Sequence, residues 1–310
     1  MKALFVYSDP GGARMLLSKL WLQKELFEEY CIISDRVYQF TDEYGFEIQK
    51  YNTGDEIIKL NDFNPEVIYT ATSYTSEIEL KFIESGQNKN IKTISLIDHW
   101  TNFRNRFFMK SKGIEIFPYF IEVIDNKSYD FAINEGIDQD KLKVTCHYYH
   151  EFLKKWLPNI SKDEFSLENN LLSSKKWIVY APDPLTNVGG VEEWGVDEVI
   201  GLDFVLNSIK KSFNAEIQLY IKPHPNQNLE IFDKLHHNIV ILGKDVPTNL
   251  LIKHSNLVIS FFSNILFEAQ LLGTKVVSLQ LGKILCKLPT SVSLLSVTKE
   301  EELTKLLNEL

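Results

Sequence analysis

The sequence has little cysteine, and its spacing fits neither a metal site nor a disulfide framework. The three cysteines, Cys31, Cys146 and Cys286, lie far apart along 310 residues, and no CxxC pair occurs. An odd number of isolated cysteines argues against a disulfide scaffold and against a thiolate zinc site. We therefore expect a protein of a reducing compartment.

Long apolar runs and an excess of positive charge are also lacking. The apolar segment at the N-terminus is interrupted by Asp9 and Pro10, so it is too short for a signal peptide or a membrane span, and no later stretch is long enough. The formal net charge is -9, whereas a nucleic-acid partner would require a basic face. We expect a cytoplasmic protein that binds no nucleic acid, and we leave open a peripheral contact at the inner face of the membrane.

Several motifs that bind phosphate or metal are missing as well. The sequence contains no GxGxxG fingerprint, no P-loop and no H-E-x-x-H motif. We therefore predict no tightly held metal.

What is present is a repeated alternation of short apolar runs with amphipathic stretches. The predicted strands are 3–8, 30–34, 67–70, 92–98, 122–124 and 144–146, then 177–181, 217–221, 239–242, 257–260 and 275–279. The predicted helices are 13–28, 55–60, 76–85, 197–213, 264–272 and 299–310. The pattern stops over the polar segment 163–176, which we interpret as a linker.

This alternation predicts an α/β protein of two doubly wound, Rossmann-like domains, residues 1–160 and 175–310, facing each other across a cleft. Ligands of such folds bind outside the carboxyl ends of the strands. The cleft is therefore the expected ligand site.

Two predicted strand ends in the first half carry candidate site residues. Gly11 and Gly12 follow the first strand, where glycine lets a ligand approach the backbone and a helix start offers free N–H groups; a tight turn without a ligand is the alternative. Asp98 and His99 follow the strand at 92–97. Asp98 could act as general base on an acceptor hydroxyl, with His99 tuning its pKa, or Asp98 could simply cap the next segment.

A short basic run follows this strand end in an otherwise acidic protein. It consists of Arg104, Arg106, Lys110 and Lys112. An anionic acceptor or a lipid headgroup would fit such a run, although a solvated face is the simpler interpretation.

The second half contains two further candidates. In Lys222-Pro223-His224-Pro225 the two prolines fix the backbone on both sides of His224, which would present its imidazole to a phosphate. In the segment from Ser260 to Asn264 a strand ends and a helix begins, with Ser263 as a plausible N-cap. That helix start suits a phosphate, and Glu268, one turn later, suits ribose hydroxyls.

At these residues the chain resembles the GT-B superfamily of glycosyltransferases and the related UDP-sugar 2-epimerases. Asp9-Pro10-Gly11-Gly12 looks like the glycine loop after the first strand of those proteins. Lys222-Pro223-His224-Pro225 is similar to the His-Pro element of bacterial sialyltransferases and capsule polymerases, whose histidine contacts the donor phosphate. The segment from Ser260 to Asn264, with Glu268, resembles the element that holds nucleotide phosphate and ribose. Asp98 lies where the sialyltransferase-like members place a catalytic acid.

The resemblance implies a glycosyltransferase of GT-B architecture. One candidate base and the lack of a metal motif predict a metal-independent, inverting course. The enzyme would move a sugar from a nucleotide-activated donor to a hydroxyl of a bacterial surface glycan or lipid-linked glycan, with the nucleotide-sugar as substrate and no cofactor. The candidate catalytic residues are Asp98 and His224, which the resemblance supports, and His99, which follows from its position beside Asp98. The implied nucleotide-sugar contacts are Gly11, Gly12, Lys222, His224, Pro225, Ser260, Ser263, Asn264 and Glu268. A non-hydrolysing nucleotide-sugar 2-epimerase and a catalytically silent nucleotide-sugar-binding subunit are the alternatives.

Overall fold

A computed structural model describes residues 1–224, 227–232, 239–284 and 294–310 of the chain. These residues form two compact units, Met1–Lys155 and Trp156–Leu310, which we call unit 1 and unit 2. Each unit is built on a parallel β-sheet flanked by helices. The predicted α/β class, with two doubly wound Rossmann-like halves, is confirmed.

Unit 1 is organised around a seven-stranded parallel sheet. Its strands are β1 (Lys2–Tyr7), β2 (Glu29–Ser34), β3 (Gln49–Lys50), β4 (Val67–Thr70), β5 (Lys92–Leu96), β8 (Phe120–Val123) and β9 (Leu142–Val144), while β6 (Phe108–Met109) and β7 (Ile114–Glu115) form a separate antiparallel hairpin. The order across the sheet is β3-β2-β1-β4-β5-β8-β9. The strand order therefore reverses between β1 and β4, which is where folds of this type bind ligands.

The helices of unit 1 cover this sheet. They are α1 (Pro10–Leu22), α2 (Glu56–Phe63), α3 (Ile78–Asn88), α4 (Asn126–Asn134) and α5 (Tyr148–Lys155). The side chains from Ala3 to Tyr7 in β1 are all fully buried, as expected of a central parallel strand covered on both faces. α1 begins directly after the turn at Asp9, with Pro10 in its first turn, a position where the missing N–H costs nothing.

Unit 2 repeats the plan with six parallel strands among its described residues. They are β10 (Lys176–Tyr180), β11 (Ile217–Ile221), β12 (Val240–Ile241), β13 (Leu257–Ser260), β14 (Lys275–Leu279) and β15 (Leu295–Val297), in the order β12-β11-β10-β13-β14-β15. The helices are α6 (Lys162–Asn169), α7 (Gly190–Trp194), α8 (Glu198–Lys211), α9 (Thr248–His254), α10 (Asn264–Leu271) and α11 (Glu300–Asn308). Here the order reverses between β10 and β13.

The segment 163–176 is not the linker that its polarity predicts. Most of its first half forms α6, which begins with a capping box in which Ser161 and Glu164 hydrogen-bond each other's backbone. Phe165 is fully buried, and its ring centroid lies 6.2 Å from that of Trp177 on β10. One buried aromatic ring therefore anchors a helix whose other side chains are mostly polar.

Four further helices, α4, α5, α7 and α9, have no counterpart in the sequence-based assignment. α5 shows why, because its buried face is mainly aromatic, with Leu153 as its aliphatic member, and is not an aliphatic stripe. The ring of Phe152 lies 5.1 Å from Trp21 and 4.5 Å from Tyr44. None of the described helices is both long and apolar enough to cross a membrane.

Candidate functional site

The carboxyl ends of β1, β4 and β5 border a cavity of about 1060 Å³ within unit 1. Most of the lining residues carry hydroxyl, amide or charged side chains, which come from the loops after these strands and from α3. The residues are Asp9, Gly11, Gly12, Thr72, Ser73, Tyr74, Thr75, Ser76, Glu77, Leu80, Lys81, Asp98, His99, Asn102, Asn105, Arg106, Phe108 and Lys110. Four candidate site residues, Gly11, Gly12, Asp98 and His99, are thus brought together, and two members of the basic run, Arg106 and Lys110, join them.

Gly11 and Gly12 are needed for the close approach of α1 to the neighbouring strand ends. A Cβ on Gly11 would overlap Oδ2 of Asp98, and a Cβ on Gly12 would lie 2.6 Å from Cβ of Ala71. Contacts of that length essentially do not occur between real side chains, so position 12 requires glycine, whereas a side chain at position 11 would displace the Asp98 carboxylate. The glycine turn consequently brings the first turn of α1 against Asp98.

Asp98 is a partly exposed carboxylate on the cavity wall. Its Oδ1 accepts a hydrogen bond of 3.0 Å from Nη1 of Arg106, and the same nitrogen donates to Thr72 Oγ1 at 2.8 Å. His99 is exposed, and its Nδ1 lies 3.0 Å from the hydroxyl of Thr101, so it makes no hydrogen bond to Asp98 through that nitrogen. Arg106 therefore forms the ion pair with Asp98, a contact that sequence spacing did not predict.

A pair of histidines lies behind Asp98. His147 and His150 stack with ring centroids 3.5 Å apart, and the charge of Asp98 acts on the His147 ring. Burial lowers the pKa of His147 to about 4, and burial with the neighbouring His147 lowers the pKa of His150 to about 3. Both rings are therefore neutral near pH 7. The sequence analysis missed them because they lie at α5, far from Asp98 along the chain.

A hydrogen-bonded network fixes the loop that follows β4. The carboxylate of Asp9 accepts from the Tyr74 amide at 2.7 Å, from the Thr75 hydroxyl at 2.6 Å and from Arg36 at 3.0 Å. Asp9 thereby ties the loop at 74–75 to the turn that follows β1. Part of the cavity wall is thus held rigidly.

A second acid lies beneath this loop. Glu79 is almost completely buried on α3, where its carboxyl accepts hydrogen bonds from the Ser8 amide at 3.0 Å and from the Ser73 hydroxyl. Burial raises its pKa to about 8, so the group is largely protonated at neutral pH. It was not recognised from the sequence, because it occupies an ordinary helical position among apolar residues.

In unit 2 the carboxyl ends of β10 and β13 are joined through Asp183. Its Oδ2 accepts from the Phe262 amide at 3.0 Å and lies 3.2 Å from the Ser260 hydroxyl, which also donates to the Ala181 carbonyl at 2.5 Å. Burial raises the pKa of Asp183, while the nearby His224 acts in the opposite direction. Asp183 thus fixes the loop that leads into α10.

His224 is half-buried at the end of β11, near Asp183. Its amide donates to Gln227 Oε1 at 3.2 Å, and its carbonyl accepts from the Gln227 amide at 2.9 Å. Gln227 in turn donates through Nε2 to the buried Glu198 at 3.0 Å. The backbone of His224 is therefore positioned by hydrogen bonds as well as by Pro223, while Pro225 lies outside the described residues.

Lys222 lies below this surface. Its ammonium is buried and donates to the carbonyls of Gly243 at 2.8 Å and Val246 at 2.7 Å. Burial lowers its pKa to about 8. These contacts hold the loop after β12, so a direct contact between Lys222 and a nucleotide stays a prediction.

The start of α10 is formed as the sequence indicates. Ser263 is the N-cap, with its hydroxyl accepting from the Ile265 amide at 3.4 Å, and Asn264 is the exposed first residue of the helix. Glu268 lies one turn further on and is half-buried. The carboxyl edge of the unit 2 sheet thus carries Ser260, Ser263, Asn264 and His224. That these residues contact a nucleotide stays a prediction.

The two units together define the class of protein: an α/β fold of two doubly wound halves, each with polar groups at the carboxyl edge of its sheet. Similar solved structures include the UDP-GlcNAc 2-epimerase of Methanocaldococcus jannaschii, with a TM-score of 0.64, 14% identity, and coverage of 100% of this chain and 92% of that one. The UDP-GlcNAc 2-epimerase of Neisseria meningitidis, solved with UDP-GlcNAc, has a TM-score of 0.58 at 17% identity. The match covers 90% of this chain and 82% of that one. HepE of Anabaena, solved with UDP-glucose, has a TM-score of 0.56 at 15% identity, and the match covers 100% of this chain and 89% of that one.

At these identities the similarity establishes a shared fold. No family model matches the sequence, and no curated protein matches it. The chain thus has the two-domain, Rossmann-like fold found in UDP-GlcNAc 2-epimerases.

Proposed function

We propose that this protein is a glycosyltransferase that moves a sugar from a nucleoside-diphosphate donor to a hydroxyl of a glycan. The observation that carries the proposal is the polar cavity of about 1060 Å³ in unit 1, with Asp98 on its wall. A cavity of this size accommodates a saccharide, since small-molecule sites typically span about 300–1,000 Å³. Unit 1 is the acceptor side in this proposal and unit 2 the donor side.

Asp98 is the proposed general base. Its carboxylate takes the proton of the acceptor hydroxyl as that oxygen attacks the anomeric carbon of the donor sugar. The bond from the anomeric carbon to the diphosphate oxygen breaks, and the nucleoside diphosphate leaves with the electron pair. Arg106, bonded to Oδ1, orients the carboxylate. One base and direct attack give inversion at the anomeric carbon and require no metal.

The start of α10 and His224 are the proposed donor-phosphate contacts. The free amides at a helix N-terminus favour negative charge, and an imidazole N–H can donate to a departing phosphate oxygen. Asp183 supports this arrangement by holding the loop before α10. Glu268 is the proposed partner of the ribose hydroxyls. UDP is the first nucleotide to test, because similar structures named above were solved with UDP-sugars.

A non-hydrolysing 2-epimerase is the second candidate, supported by the two UDP-GlcNAc 2-epimerases of the same fold. Inversion at C2 requires a proton to be removed on one face and returned on the other. Of the three carboxylates among the described residues that line the cavity, Asp9 is held by three hydrogen bonds and Glu77 by Ser111. Asp98 accepts one hydrogen bond, from Arg106 to Oδ1, so its second carboxylate oxygen is the one left for chemistry. One such acid favours transfer over epimerisation.

The experiment that separates the candidates is an NMR time course of UDP-GlcNAc and of UDP-glucose with the full chain, with and without a panel of oligosaccharides. A transferase consumes donor only when an acceptor is present. Formation of the C2 epimer without acceptor would establish the epimerase instead. Binding of UDP without turnover of either donor would indicate a catalytically silent nucleotide-sugar-binding subunit.

Nucleotide choice is tested separately by thermal shift against UDP, CDP, GDP and CMP. A true ligand at about 100 times its dissociation constant adds about 2.7 kcal/mol to the free energy of unfolding. In this proposal the acceptor is a bacterial surface glycan or a lipid-linked glycan, presented at the inner face of the membrane.

A further inference from the structure

The structure assigns different roles to the four cations of the basic run that follows β5. Three of them are paired with carboxylates: Arg104 with Glu115 at 2.5 Å, Arg106 with Asp98 at 3.0 Å and Lys112 with Glu84 at 2.6 Å. The fourth, Lys110, is exposed on the wall of the unit 1 cavity. The run is therefore neither a uniform basic face nor simply a solvated one.

Lys110 has a counterpart on the same cavity. Lys81 lies on α3 and also lines the cavity wall. Within the described part of the chain, neither ammonium has a carboxylate partner at salt-bridge distance. Both ammonium groups can therefore offer positive charge to a ligand in the cavity, in a chain whose net charge is -9.

The acidic groups of the cavity are already engaged. Asp9 is bonded to Arg36, Tyr74 and Thr75, Asp98 to Arg106, and Glu77 to the amide and hydroxyl of Ser111. Although burial alone would raise the pKa of Glu77, the hydrogen bonds from Ser111 and from the backbone of Lys110 keep that pKa below its usual range. The charge of Lys81 acts in the same direction, although no salt bridge joins the two side chains. Each of these acids already has a partner in the protein, with only Oδ1 of Asp98 engaged, so the charge offered to an anionic ligand comes from the two lysines.

An aromatic ring stands beside the two lysines. Tyr74 is 83% exposed, and Nζ of Lys110 lies 4.7 Å from its ring centroid. The Tyr74 amide is fixed by Asp9, so the ring projects from a backbone that does not need to rearrange. A flat ring can pack against the apolar face of a sugar while the adjacent ammonium meets a charged substituent.

We propose that the unit 1 cavity binds an anionic glycan, with carboxylate-bearing sugar units held by Lys81 and Lys110 and one sugar ring packed on Tyr74. This inference rests on the proposed function, since it specifies the chemical class of the acceptor at that same site. Asp98 then faces the hydroxyl that is glycosylated, and the lysines select the acceptor through its charge.

The test uses a matched pair of saccharides and the full chain. One probe is the trimer of galacturonic acid, and the other is the neutral galactose trimer made by reducing its carboxyl groups. Binding is measured by isothermal titration calorimetry and by saturation-transfer NMR, so no donor is required. The variants are Lys81→Gln, Lys110→Gln and their double variant, with Lys112→Gln as the control because Lys112 belongs to the same run but is paired outside the cavity.

The acidic trimer should bind more tightly than the neutral one, with a preference that shrinks as salt is raised. Each cavity-lysine substitution should weaken binding of the acidic trimer about two- to fivefold, the range of a partly exposed ion pair, and leave the neutral trimer unchanged. Tyr74→Ala should weaken both probes, and Lys112→Gln should behave as wild type.

The inference would be overturned if the two trimers bound equally well or if neither bound. It would also be overturned if Lys112→Gln weakened binding of the acidic trimer as much as the cavity-lysine substitutions do. UDP binding and acceptor-dependent turnover of neutral oligosaccharides, measured on the same preparation, test the proposed function independently. The proposed transferase activity can therefore be supported even if the proposed anionic acceptor is refuted.

Discussion

Replacing Glu79 by glutamine should change how the stability of the protein depends on pH. The carboxyl of Glu79 is buried against Ser8 and Ser73, and its pKa is raised from 4.5 to about 8. The folded protein keeps this proton up to about pH 8, whereas the unfolded chain loses it near its ordinary pKa. The contribution of Glu79 to the free energy of unfolding is therefore fully present below pH 4.5 and is lost as the pH rises through about 8.

The magnitude follows from the size of the shift. At about 1.36 kcal/mol per pKa unit, wild type should lose roughly 3–4 kcal/mol of unfolding free energy between about pH 5 and pH 8 because of this one group. A glutamine side chain cannot ionise, so the variant lacks that loss. Burying the extra amide N–H₂ costs the variant about 1–3 kcal/mol, but this cost is the same at every pH.

Urea unfolding of wild type and Glu79→Gln at several values between about pH 5 and pH 8 measures the difference between the two. We expect the variant to be the less stable protein at the acidic end and to overtake wild type at the basic end. Glu77→Gln is the control, because the pKa of Glu77 is shifted in the opposite direction. This variant should not gain stability relative to wild type as the pH rises. Parallel pH profiles for Glu79→Gln and wild type would refute the argument that the acid is protonated in the folded state.

The remaining predictions concern the proposed catalytic and donor sites and the glycine turn. Asp98→Asn keeps the shape of the side chain and removes the base, so turnover with acceptor should fall by about 10²–10⁴-fold while the dissociation constant of the donor stays unchanged; near-normal turnover would make Asp98 a purely structural residue. His224→Ala should weaken UDP binding by about 1.5–3 kcal/mol, as for a lost hydrogen bond to a charged group, without a large fall in melting temperature. A sharp fall in melting temperature with unchanged affinity would contradict that role. Gly12→Ala should lower the free energy of unfolding, measured in urea, by about 1–3 kcal/mol through overlap with Ala71, and unchanged stability would show that α1 can shift away.

The secondary structure could be predicted best where buried strands are short and sharply bounded. The runs 67–70, 217–221, 257–260 and 275–279 match β4, β11, β13 and β14 residue for residue. Each is an apolar run that ends at polar or turn-forming residues, and this local pattern is sufficient because both faces of a parallel sheet are covered. The alternation of such runs with helices was enough to predict the fold class.

Sequence patterns failed where a few distant contacts decide the structure. Residues 163–176 are polar enough for a linker, yet the burial of Phe165 against Trp177 makes the first half of them a helix. Lys222 has the charge expected of a phosphate ligand, yet its ammonium is bonded to the backbone of Gly243 and Val246. A lysine's sequence neighbours do not reveal where its long side chain ends.

The sequence by itself therefore determined two doubly wound α/β halves, and it placed Gly11, Gly12, Asp98 and His224 at strand ends, because a parallel strand and its following turn are local features. Only the tertiary structure decided what surrounds them. Arg106 meets Asp98, and Glu79 keeps its proton beneath Ser73, because loops from separate βα units converge at one sheet edge. Charge partners and pKa values depend on distances in space and on burial, and neither is encoded in the spacing of residues along the chain.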